Sequence, residues 1–231
     1  MLILDLGCGV GDVSLLAARL VGAAGSVLGI DRSAASVETA NRRAAALGVP
    51  NVRFEAAELD TFDTAQMFDA VIGRLVLLYQ PDPAATLRRF RKFLNPNGIM
   101  AFQEIDIDMS QVPSSELFNK VRSWITAALK AGGADTNMGT KLLRTFLDAG
   151  LPRPTMIAAT RVESGPDSFI YGHHARILRS LLPVVERVGI TTAEEAAIDT
   201  LADRLRQEAI AHERVMFESR MVGAWCRLPK S

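Results

Sequence analysis

From Leu2 to Gln103, short aliphatic runs alternate with segments whose apolar residues recur every three to four positions. Runs of the first kind suit strands buried on both faces, and segments of the second kind give a helix one apolar stripe. The alternation therefore predicts a parallel sheet flanked by helices. Strands are expected at Leu2–Asp5, Ser26–Ile30, Asp69–Ile72 and Ile99–Gln103, with a less regular one at Val52–Glu55. Between them, Ser33 is placed to cap a helix reaching Leu47, with Val37, Ala40 and Ala44 inward and Gly48 and Pro50 beyond its end. Asp82-Pro83 opens a second helix, which buries Leu87, Phe90 and Leu94, and Asn95-Pro-Asn-Gly98 reads as the turn into the next strand.

After Gln103 the pattern becomes mainly helical. Helices are expected at Ser115–Lys130, Lys141–Ala149, Ser168–Leu182 and Ala193–Phe217, the last opened by a Thr192–Glu195 capping box. Thr155–Val162 and Arg220–Arg227 alternate like strands. With no repeat and no long linker, residues 1–231 read as a single domain. Residues 1–104 form its core, 105–138 and 163–219 a helical cap, and 139–162 with 220–231 the helix and strands that complete the sheet.

Twenty-six basic and 26 acidic side chains cancel over 231 residues, so nothing global attracts nucleic acid or an anionic membrane. A small molecule is the expected partner, and a homodimer is left open. Apolar runs such as Ala70–Ile72 and Leu75–Leu78 are too short to span a bilayer, and no leader pattern opens the chain, which gives a cytoplasmic reading. Cys8 and Cys226 lack metal-ligand spacing, so neither a zinc site nor a disulfide framework is expected.

The candidate chemistry begins at Ile3-Leu-Asp-Leu-Gly-Cys-Gly-Val-Gly11, where a strand runs into a glycine-rich turn. Dinucleotide folds favour G-x-G-x-x-G, whereas Gly7, Gly9 and Gly11 are spaced G-x-G-x-G. Asp31 ends the second strand about twenty residues on, where a carboxylate can accept both ribose hydroxyls in either class of cofactor. Asp5 discriminates between them, since it could hold a cationic amino-acid tail and would repel a pyrophosphate.

These residues, with several that follow, make the chain resemble the class I S-adenosylmethionine-dependent methyltransferases. Val27-Leu-Gly-Ile-Asp31 is similar to the family's second motif, Ala57-Glu-Leu-Asp60 to its adenine-binding turn, Phe68-Asp-Ala-Val-Ile-Gly-Arg74 to its fourth strand, and Phe93-Leu-Asn-Pro-Asn-Gly-Ile99 to the turn before its fifth. The resemblance implies a Rossmann-like, doubly wound α/β fold. Its seven-stranded sheet is mostly parallel, with an antiparallel last strand and cap helices inserted before that strand. The resemblance also implies S-adenosylmethionine as cofactor, held by Asp5, Gly7, Cys8, Gly9, Gly11, Asp31, Arg32, Glu58, Leu59 and Arg74. Glu55 or Asp60 could replace Glu58 if the register slips.

Cys8 reads as a small filler, because direct methyl displacement needs no enzyme nucleophile. Tyr79, Glu104, Trp124 and His173 are the substrate-side candidates, while the catalytic residue stays unassigned. Glu104, Asp106 and Asp108 alternate, but a solvated loop is favoured over a cation site, and Phe118, His174 and His212 are read as packing residues. Members of the family carry helical sequence before the first strand, so a truncated start is expected. The implied activity is methyl transfer to a small-molecule acceptor. The alternatives are a non-catalytic S-adenosylmethionine-binding protein or a nicotinamide-dependent oxidoreductase.

Overall fold

A computed structural model describes residues 1–107 and 115–230. Leu2–Leu6 forms β1, followed by α1 (Asp12–Val21), β2 (Ser26–Asp31), α2 (Ala34–Ala46), β3 (Val52–Ala56) and β4 (Phe68–Arg74). A 3-10 turn at Leu77–Tyr79 leads into α3 (Pro83–Arg91) and β5 (Leu94–Asp106). Then come α4 (Glu116–Ala131), α5 (Met138–Asp148), β6 (Thr155–Ala159), β7 (Val162–Ser164), α6 (Ile170–Arg187), α7 (Ala193–Ala196), α8 (Leu201–Ala211), β8 (Val215–Phe217) and β9 (Arg220–Arg227).

Seven strands form one sheet in the order β3-β2-β1-β4-β5-β9-β6. The pairs among β1 to β5 are parallel. At the other edge, Leu228 N–H donates to Gly98 O and Asn97 N–H to Pro229 O. These bonds join the end of β9 to the start of β5, so β9 runs antiparallel. Leu4, Leu6, Ile30 and Val71 are wholly or almost wholly buried, as expected of strands covered on both faces.

The chain divides into two compact units, Met1–Glu104 with Met138–Ile157 and Val222–Ser231, and Ile105–Asn137 with Ala158–Met221. The first carries the body of the sheet. Within it, Leu15, Val37, Ala40 and Phe54 pack α1 and α2 onto the strands, and Phe62 stacks on Phe90 of α3 at 6.0 Å while Phe93 meets both rings at an angle at 5.8 Å. The second unit packs Phe118, Val121, Ile170, Leu178, Leu201 and Leu205 into its own core. Burial of each such side chain contributes about 1.5–3 kcal/mol. Among the described residues, no helix is long and apolar enough to cross a membrane.

Capping follows the sequence closely. Ser33 Oγ accepts from Ser36 N–H and Asp82 Oδ1 from Ala85 N–H, and Thr192 with Glu195 closes a reciprocal box. Four boundaries differ from expectation. The expected turn at Asn95–Gly98 lies inside β5, where the pairing with β4 shifts register after Phe68–Leu94 and Asn97 turns left-handed. The strand expected at Thr155–Val162 stops at Ala159, and Val162–Ser164 pairs instead with Val215–Phe217 as a separate ribbon. Helix α6 passes through Pro183 to Arg187, because burying Leu178 and Val185 on either side outweighs the missing hydrogen bond. The long helix expected from Ala193 is broken at the left-handed Ala197, where Arg204 and Arg179 donate to the freed carbonyls of Ala196 and Ile198.

Candidate functional site

The loop joining β1 to α1 is left-handed at Gly7 (φ 62°), Gly9 (φ 53°) and Gly11 (φ 89°). A Cβ at Gly7 would stand 2.7 Å from Val76 Cγ2, and one at Gly11 2.8 Å from Phe54 Cζ. At Gly9 nothing lies within 4 Å. Gly7 and Gly11 thus serve packing as well as conformation, whereas Gly9 offers bare backbone to a ligand.

Two aspartates bracket this loop. Asp31, at the end of β2, accepts Gly9 N–H on Oδ2 and Ser33 N–H on Oδ1, both at 2.9 Å. Each oxygen keeps acceptor capacity for a hydroxyl. Asp5 is 1% exposed and accepts the Ser14 hydroxyl at 2.5 Å. Burial pushes its carboxyl up to about 7, against the opposing pull of Ser14 and Arg74. Cys8, between the glycines, is pushed up to about 12 by burial and by the two aspartates, so its thiol stays protonated at neutral pH.

Two cavities meet at Gly7. One, of about 440 Å³, is lined by Gly7, Asp31, Arg32, Glu58, Leu59 and Tyr79. The other, of about 220 Å³, is lined by Asp5, Gly7, Cys8, Gly9 and Arg74 among others. The structure therefore brings the expected cofactor residues to two adjoining spaces, with Gly11 shaping the turn behind them. Tyr79, expected beside the substrate, lines the same cavity as Asp31 and Glu58. Arg74 also borders an apolar groove of about 570 Å³ that includes Leu16, Ile72, Phe102, Ile157 and Trp225.

Glu104 departs from its expected role. It is fully buried, and its carboxylate accepts the backbone N–H groups of Val76 (3.0 Å), Leu77 (2.8 Å) and Leu78 (3.3 Å). A side chain so committed holds a turn rather than facing a substrate. Asp106 pairs with Arg220 at 3.3 Å, and Asp108 lies outside the described residues.

Trp124 and His173 belong to the second unit. The Trp124 ring lies beneath Lys120 Nζ at 5.1 Å, and His173 packs on Phe169 at 5.3 Å. Neighbouring His174 is buried, and burial lowers its imidazole to about 4, so it is neutral at pH 7. His212 caps the end of α8.

Sequence reasoning missed three features of the site. Ser14 sits one helical turn past Gly11 on the inward face of α1, a detectable position for a partner to Asp5. Glu104 is a substrate-side candidate by sequence, but its role as acceptor for the turn after β4 carries no sequence signal. Leu75, left-handed at φ 56° in a turn without glycine, had no sequence signal.

A family model described as a methyltransferase domain matches residues 1–150. The chain is 33% identical over 152 residues to the 2-phytyl-1,4-naphtoquinone methyltransferase of Trichormus variabilis, a match covering 65% of this chain and 64% of that protein. It is 32% identical over 114 residues to the arsenite methyltransferase of Aquipseudomonas alcaligenes, covering 46% and 33%. The chain spans about a third to two thirds of the length of the curated relatives it matches. Among solved structures, coclaurine N-methyltransferase bound to N-methylheliamine and SAH shares the fold at TM-score 0.55 and 15% identity, over 97% of this chain and 66% of that one.

Proposed function

The chain belongs to the methyltransferase-domain family, and from that premise we propose that it is an S-adenosylmethionine-dependent methyltransferase acting on a small-molecule acceptor. The observation that carries this reading is the meeting of two unlike cavities at Gly7. The larger suits a nucleoside, with Asp31 accepting ribose hydroxyls, Glu58 near the adenine amine and Leu59 against the ring. The smaller suits an amino-acid zwitterion, with Asp5 toward the ammonium and Arg74 toward the carboxylate. Where ionised, the Asp5 carboxyl would repel a pyrophosphate in that position, which disfavours a dinucleotide. The open space at Gly9 lets a ligand approach the loop at van der Waals distance.

When bound, this cofactor supplies an electrophilic methyl group on a sulfonium. The protein contributes position and dielectric. The glycine turn, Asp31 and Arg74 orient the ligand, and orientation supplies most of the catalysis in a direct displacement. Cys8, held protonated, is no nucleophile, and no residue is assigned as a general base.

The acceptors named for the relatives, arsenite and a phytyl-naphthoquinone, share no scaffold. Arsenic(III) is a soft centre that thiolates bind well. The two cysteines here are buried, with their thiols raised to about 12 and about 11, so neither offers a thiolate to an arsenic(III) acceptor. We read both units as parts of one methyltransferase domain, with the cofactor bound by residues of the first. Balanced charge favours a small partner over nucleic acid.

Calorimetric titration tests this reading. S-adenosylhomocysteine should bind and nicotinamide dinucleotides should not, whereas tight dinucleotide binding with no response to the homocysteine compound would sink it. Binding without transfer of labelled methyl to any phenol, quinol, amine or carbon acid would instead identify a binding protein.

A further inference from the structure

We infer that Glu104 is a positioning residue for the cofactor site, its carboxylate folding the glycine-free turn after β4 into the shape that walls the nucleoside cavity. This rests on the reading above. Leu75, Val76 and Tyr79 all line that cavity, yet none of the residues from Leu75 to Tyr79 is a glycine, and Leu75 adopts a left-handed backbone that a leucine rarely takes. Something must over-determine that conformation.

Two sets of bonds from β5 do so. Leu75 N–H donates to Gln103 O at 2.9 Å. The next three N–H groups in the chain converge on Glu104, with Val76 and Leu77 on Oε1 and Leu78 on Oε2. Three successive backbone donors around one carboxylate form an anion nest, and here the anion is supplied by the protein itself, 26–28 residues along the chain.

The turn also bears on the glycine loop. Val76 fills the space beside Gly7, where a Cβ would be only 2.7 Å from it, and Gly7 is the residue the two cavities share. Displacement of Val76 would therefore alter both. Tyr79 offers a spectroscopic report on the Glu104 charge. Desolvation, and then the Glu104 carboxylate, push its hydroxyl above the ordinary range, with Arg32 opposing.

Glu104→Gln keeps the shape but turns an amide toward one of the three donors. We expect it to unfold cooperatively, to bind S-adenosylhomocysteine about tenfold more weakly through loss of charge-assisted hydrogen bonding, and to raise KM for the cofactor by a similar factor. The kcat at saturating cofactor should change less than about threefold, since chemistry is untouched once the site is filled. The Tyr79 hydroxyl, assigned with Tyr79→Phe, should titrate at lower pH than in the wild type. A purely structural role would lower the melting temperature and leave cofactor affinity and the KM for the cofactor unmoved, which overturns the inference.

Should the variant fail to fold, amide exchange in the wild type decides the matter. Val76, Leu77 and Leu78 must be strongly protected, and free-peptide rates there would refute the clamp. Failure of the wild type to bind S-adenosylhomocysteine would refute the functional reading and the cofactor half of this inference, while amide exchange still judges the clamp itself.

Discussion

Two turns wall the candidate site, and they reach their shapes by opposite routes. The turn after β1 takes three left-handed backbones on glycines, the residue that adopts them at least steric cost. The turn after β4 takes its left-handed step on Leu75 and is held from outside by Glu104. Each is paired with a buried acid, but Asp5 has one hydroxyl donor in the described contacts while Glu104 gathers three backbone N–H groups. One conformation is written locally, the other imposed by a strand. A local turn should be sensitive to substitution within itself, and an imposed one to substitution of its anchor.

The largest expected effect comes from the acid of the first turn. The Asp5 carboxyl moves from its ordinary 3.8 to about 7 in the folded protein, so between those pH values the native state holds a proton that the unfolded state has lost. Its contribution to stability is complete below pH 4, declines as pH rises toward 7, and levels off above that, a difference of about 4 kcal/mol. Denaturant titrations from pH 4 to 8 should show this decline in the wild type relative to Asp5→Asn. Parallel curves would mean that Asp5 is not desolvated as its burial implies.

Next in size is Gly11→Ala, which adds both left-handed strain and a clash with the Phe54 ring. A loss of about 2–4 kcal/mol of stability is expected by chemical denaturation. Asp31→Ala should weaken S-adenosylhomocysteine by about 1–3 kcal/mol, as bonds to a charged acceptor are lost; unchanged affinity would displace the ribose from this position. Gly9→Ala has room for its methyl and should cost only the strain, about 1–2 kcal/mol. The smallest change is expected for Leu75→Gly, where relief of strain offsets lost packing, and a shift in stability under about 1 kcal/mol would mark the anchor as the controlling element. A loss larger than that of Gly9→Ala would erase the contrast between the turns.

The same contrast explains what could be read in advance. The five parallel strands, the caps at Ser33, Asp82 and Thr192, and the glycine turn follow from short-range patterns, namely continuous aliphatic runs, N-cap chemistry and glycine spacing, while the place of Glu58 beside Gly7 and Asp31 came from the family resemblance. The break at Ala197 did not follow from them, because its freed carbonyls are satisfied by Arg179 and Arg204, and the Arg179 contact is remote. Nor did the passage of α6 through Pro183, where tertiary burial overrides a local stop signal. The Glu104 clamp was hidden for the same reason, since nothing within Leu75–Tyr79 advertises a partner in β5.

The antiparallel strand β9 has a consequence for the order of folding. Arg227 donates to the carbonyl of Asn97, 130 residues earlier, and β9 fills the place beside β5 only after α4 to α8 have been made. Until then β5 presents an open edge, and the loop that must close to fill it is among the longest in the chain. Such non-local pairing is slow and leaves an adhesive edge exposed in the meantime. During synthesis, β1 to β5 emerge before β9, so the edge of β5 stays open to wrong partners until the end of the chain is made.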